Sequence, residues 1–210
     1  LAKNLGLRYF HCLGLACESQ TVAGGFLNNT ARYNDGSLPS PLDQVYWQRV
    51  ILDRVDRVLK LLQDRKKFAL DAIIIDPEMY ALNDALPGEP DYGKFAFELF
   101  LSESGTRKPS EEFVNWEARK TWLEEQGLSS QYVQWQFDAI KKMGHQLRTL
   151  IDRYDPNLIV GYIIYENRMW FNAIAAGLAT KEMPVFVGVE STYSGVMDAS
   201  MIALFKKIKK

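Results

Sequence analysis

Carboxylates follow directly on runs of apolar residues at several points in this chain: Glu18, then Asp76 with Glu78, then Glu166, then Glu190. Hydrolysis of an O-glycosidic bond needs such groups. One acid protonates the leaving oxygen and a second carboxylate acts as nucleophile or base, about 5 Å away for retention and farther for inversion. Asp76 and Glu78 are separated only by Pro77. In an extended chain residues two apart point the same way, and mutual repulsion raises one of two neighbouring carboxyls toward the range of a general acid. Asp76, Glu78 and Glu190 are therefore the candidate catalytic residues, and the hydroxyls of Ser191 and Thr192 extend a polar surface beside Glu190. Glu166, Tyr80, Trp170 and Tyr193 are the candidate substrate-binding groups, since a sugar ring lays its C–H face on a flat side chain while its hydroxyls take hydrogen bonds. The competing roles are solvated loop acids or helix caps for the carboxylates, and core packing for the aromatics.

Other chemistries find less support. His11 and His145 lack a second histidine or a suitably spaced acid, so both are expected to be structural. Cys12 and Cys17 cannot make a four-ligand metal site and have no activating partner in sequence; two reduced thiols are expected, with a lean toward a reducing compartment. There is no G-x-S-x-G elbow, no G-x-G-x-x-G and no G-x-x-x-x-G-K, so neither a serine nucleophile nor a nucleotide cofactor is expected. With 25 basic against 26 acidic residues in 210, the net charge of −1 offers no footprint for nucleic acid. No apolar run approaches the roughly 18 to 20 residues of a membrane span. The expectation is a soluble protein without cofactor or metal, cytoplasmic or else exported by a signal outside this sequence.

These acids must be carried by an alternating framework. Branched and aromatic runs over residues 7 to 15, 70 to 76, 158 to 165 and 184 to 189 predict four buried strands, of which DAIIID, with three consecutive isoleucines, is the clearest. Between them, helical spacing predicts helices over 42 to 66, 92 to 104, 110 to 126, 129 to 154 and 171 to 180. Ser40 before Pro41 is the expected cap of the first, Ser129 or Ser130 that of the fourth, and Phe95, Leu99 and Phe100 the buried face of the second. Trp47, Trp116, Trp122 and Trp135 fall on helices as packing residues. Strand and helix in alternation predict a parallel α/β sheet. Its carboxyl ends, where the acids fall, would form the site. Without a Gly-rich phosphate loop the open doubly wound sheet loses support, and four strands cannot close a ring of eight. One α/β domain over 1 to 210 is expected, a partial (β/α) barrel of TIM type cut at both ends, with residues 1 to 7 the end of a helix and FKKIKK a truncated helix or solvated tail.

The run DAIIIDPEMY, the helical insert after it, PNLIVGYIIYE and PVFVGVESTYSG together resemble uncharacterised glycoside-hydrolase-like (β/α)8 barrel proteins. The resemblance implies a carbohydrate substrate and catalytic acids at strand ends, by position Asp76, Glu78 and Glu190. Two other functions compete: a noncatalytic carbohydrate-binding barrel, and a barrel lyase or isomerase whose acids hold a divalent metal.

Overall fold

The computed structural model describes residues 10–14, 31–36, 38–64, 70–76, 90–110, 112–164 and 169–189. Four strands, β1 (Phe10–Gly14), β2 (Ala72–Asp76), β3 (Ile159–Ile164) and β4 (Phe186–Val189), lie in one sheet in chain order, and every neighbouring pair is parallel. Ile75 stands between Leu13 of β1 and Tyr162 of β3. The four predicted strands are thus present, β2 and β4 beginning two residues later than expected and ending at Asp76 and Val189 as expected.

The helices of the crossovers are α1 (Gln44–Tyr46), a π-helical segment (Trp47–Leu52), α2 (Asp53–Asp64), α5 (Ser129–Asp152) and α6 (Met169–Leu178). Ile73 and Ile75 of β2 and Val160, Tyr162 and Ile164 of β3 pack against them, with Val50, Val55, Leu59, Met143, Leu147 and Ile174 in one buried cluster. The opposite face of the sheet carries no helix among the described residues. There Phe10 is 50%, Ile159 37% and Phe186 64% exposed, and Ile74 and Ile163 are half-buried. Sequential order explains the asymmetry. Right-handed crossovers that always step to the next strand on the same side lay every helix on one face, whereas a reversal of strand order would divide them between two.

The connection after β2 carries two further helices, α3 (Lys94–Ser104) and α4 (Trp116–Glu125). They form a second core with the start of α5, built from Tyr92, Phe97, Phe100, Leu101, Leu123 and Tyr132, and Trp135 touches both cores. Trp47 is buried in the main core and Trp116 and Trp122 pack against the second, the expected roles.

Several local expectations are corrected. The helix predicted over 42 to 66 is divided by its π-helical middle, and its cap is Asp43, whose carboxylate accepts from Val45 N at 2.8 Å. Ser40 Oγ accepts from Leu42 N at 3.2 Å in the turn before the helix and donates to Asp91 Oδ2. The helix predicted over 110 to 126 begins only at Trp116, where Asn115 caps by accepting from Ala118 N. Neither Ser129 nor Ser130 caps α5: the helix starts at Ser129 after Leu128, with no side-chain cap. In α3 the buried face is Ala96, Phe97, Phe100 and Leu101, while Phe95 is 37% exposed. The face of a helix follows its partners, here the aromatic rings of α4 and α5, and its own periodicity over three turns is satisfied by either choice.

Candidate functional site

Asp76 is the last residue of β2, level with Gly14 at the end of β1, and so stands on the carboxyl edge of the sheet. Strand alternation places its side chain with Ile74, on the face away from the helices, because Ile73 and Ile75 point into the helical layer. The carboxylate is half-buried. Behind it the Tyr162 side chain is fully buried and its hydroxyl has no hydrogen-bond partner. Burial pushes that phenol well above its ordinary range, and the negative charge of Asp76 adds to the shift. Asp76 is thus a strand-end carboxylate whose field reaches an unpaired buried hydroxyl.

Of the other residues singled out from sequence, Glu18, Glu78, Tyr80, Glu166, Glu190 and Tyr193 lie outside the described residues. Trp170 is described and corrects its expectation. It lies in α6, 2% exposed, with its ring stacked on Phe171 at 5.4 Å and an interplanar angle of 3°. A ring so covered has no free face for a sugar. Among the described residues no group of three or more His, Cys, Asp or Glu is arranged to hold a metal ion. Among them, too, no helix is long and apolar enough to cross a membrane.

The densest polar arrangement among the described residues is one that sequence reasoning passed over. Asp91 is 1% exposed. Its Oδ1 accepts from Asn34 N at 2.9 Å and Gly93 N at 2.8 Å, and its Oδ2 accepts from Ser40 Oγ at 2.5 Å. Its main chain is held as well: Asp91 N donates to Gln136 Oε1, while Gln136 Nε2 and the Tyr132 hydroxyl both donate to Asp91 O. Tyr92 N donates to Asn34 Oδ1, Lys94 N to Asp35 Oδ1, and Arg119, nearly buried, donates to Tyr92 O and pairs with Asp35 Oδ2. Asn34 and Asp35 both adopt positive φ, 46° and 57°. Left-handed backbone is rare outside glycine and survives where surrounding contacts over-determine it. Here each of the two residues is held by its side chain and Asn34 by its amide as well. Burial raises the Asp91 carboxyl above its ordinary value, and the three donors restrain the rise; burial likewise raises the Tyr132 hydroxyl.

The two segments clasped here are the connections that follow β1 and β2. In parallel α/β folds such connections leave from the carboxyl ends of the strands and build the site. The clasp therefore ties together two of the segments that border the edge where Asp76 stands. Its one sequence signal was composition, turn formers at Asn34, Asp35, Gly36 and Pro39 and again at Pro90, Asp91 and Gly93; that they meet across 57 residues of chain is a tertiary fact.

No family model, no curated protein and no solved structure matches this chain.

Proposed function

We propose that the sheet is a wall segment of a (β/α) barrel of TIM type, and that its strand-end rim hydrolyses O-glycosidic bonds of a polysaccharide or oligosaccharide. The observation that carries the reading is Asp76: a half-buried carboxylate at the carboxyl end of a central parallel strand, on the helix-free side. Sequential strand order, helices on one face and apolar side chains on the other support the barrel. In a closed barrel that second face is the packed interior and the rim above it is where substrate sits. Glu78 and Glu190 complete the acid set by their places in sequence, one two residues after Asp76 and the other directly after β4. In this scheme one of the acids donates a proton to the leaving oxygen and another attacks the anomeric carbon or deprotonates water.

The test is hydrolysis of a panel of aryl glycosides and polysaccharides by the wild type and by Asp76→Asn, Glu78→Gln and Glu190→Gln. A positioned acid or base contributes about 10²- to 10⁴-fold, so loss of that size in kcat for at least one variant supports the reading. Cleavage that all three variants retain would refute it. Binding of a sugar without cleavage by the wild type replaces it with a carbohydrate-binding barrel.

A further inference from the structure

We propose that the cavity between α3 and the segment leading into α4 binds one neutral, polyhydroxylated ring, such as a single sugar residue. The cavity measures about 270 Å³, just under the roughly 300 Å³ at which pockets for drug-sized molecules begin. One ring fits and an oligomer does not.

The lining decides the class. Lys94 pairs with Glu112 at 3.1 Å and Lys108 with Glu98 at 3.5 Å, and at the back Arg119 pairs with Asp35 while donating to the Tyr92 carbonyl. Three cations are balanced by three carboxylates, so the cavity has no net attraction for an anion or a cation. What remains is a set of acceptors and donors of both kinds beside Phe113, a half-buried ring held edge-on to Phe97 at 5.6 Å. Several hydroxyls on one ring satisfy both kinds of group, donating to Glu98 and Glu112 and accepting from Lys94 and Lys108, while the C–H face lies on Phe113. A phosphate or carboxylate would instead meet Glu98 and Glu112 unfavourably. The two outer ion pairs are solvent-exposed, with Glu112 at 86% and Lys108 at 72%; such pairs contribute little to stability and are readily exchanged for ligand hydrogen bonds. This site lies on the insert, apart from the strand-end rim, and does not depend on the hydrolase reading.

Saturation-transfer NMR on the intact chain tests it, with the methyl glycosides of glucose, galactose, mannose and N-acetylglucosamine as neutral probes and inorganic phosphate as the anionic one. Transfer from at least one methyl glycoside is expected, with affinity lowered about tenfold in Glu112→Ala and in Lys108→Ala and retained in Asp76→Asn. Both cavity substitutions are at exposed positions and leave the fold intact. Absence of transfer from every neutral probe, preference for phosphate, or binding lost in Asp76→Asn and kept in both cavity variants would overturn the proposal.

Discussion

Asp91 accepts three hydrogen bonds while only 1% exposed, and two features of its energetics can be separated by substitution. Asp91→Ala leaves the amides of Asn34 and Gly93 and the hydroxyl of Ser40 without an acceptor. Each orphaned buried donor costs about 1–3 kcal/mol. A loss of about 3 kcal/mol or more is expected in urea unfolding. The second feature is charge. The folded-state pKa of Asp91 is raised from its ordinary 3.8, so above that pH the native state holds more protons than the unfolded state and stability falls as pH rises. Asp91→Asn removes this titration. The stability of the wild type relative to Asp91→Asn is therefore expected to decline from about pH 4 upward until the folded pKa is passed; a difference that rises with pH would contradict the assignment. Gly93 belongs to the same clasp: a Cβ there would stand 2.5 Å from Arg32 O and 2.9 Å from Asp91 Oδ1. The turn chemistry of these residues was legible in the sequence, their mutual contact was not, because hydrogen bonds between distant loops leave no periodic pattern.

Among the described elements, α5 and α6 approach until backbone meets backbone, and two glycines allow it. A Cβ on Gly177 would lie 2.2 Å from Lys141 O and 2.8 Å from the Cα of Gly144, and one on Gly144 would lie 2.6 Å from Ile174 O. Replacing a helical glycine by alanine ordinarily gains about 1 kcal/mol in propensity. Here the obstacles are backbone atoms that cannot turn aside, and overpacking costs about 1–3 kcal/mol or more. Gly144→Ala and Gly177→Ala are expected to lower the thermal midpoint despite better propensity, with Gly177→Ala the worse. Gly105, at φ 69° with open space around it, should lose only about 1 kcal/mol on change to alanine. The existence of these helices was visible in apolar spacing. Their caps and faces were less so: Asp43 caps where Ser40 was expected because the helix begins at Gln44, while Ser40 Oγ accepts from Leu42 N in the turn before it and donates to Asp91, and Phe97 turns inward because Phe113 and Trp122 meet it edge-on at 5.6 and 5.5 Å.

At the scale of the molecule, order in the sheet sets order in stability. Among the described residues β2 and β3 have hydrogen-bonded neighbours on both sides, whereas β1 and β4 stand at the edges with one neighbour each. Hydrogen exchange should be slowest for amides of residues 73–75 and 160–164 and faster by at least about tenfold in β1 and β4, since edge strands open without breaking a second ladder. Equal protection across all four strands would mean that the edges are covered in solution. The helix-free face raises the same question, because Phe10, Ile159 and Phe186 leave apolar area in water that a barrel would enclose.

Local chemistry by itself determined that this chain makes parallel strands and crossover helices in alternation, since three consecutive isoleucines and repeated apolar spacing have few other uses. It also put Asp76 at a strand end, because the apolar run stops there. Tertiary structure alone decided three things: that the described strands lie in chain order with the described crossover helices on one face, that Trp170 is core, and that the connections after β1 and β2 are joined through Asp91. The division has a physical cause. Backbone propensity and periodicity act within a few residues and are written in the order of side chains. Burial, hydrogen-bond partnership and helix approach depend on groups brought together by the whole chain, so the same tryptophan or aspartate reads alike in sequence whether it faces solvent, substrate or core.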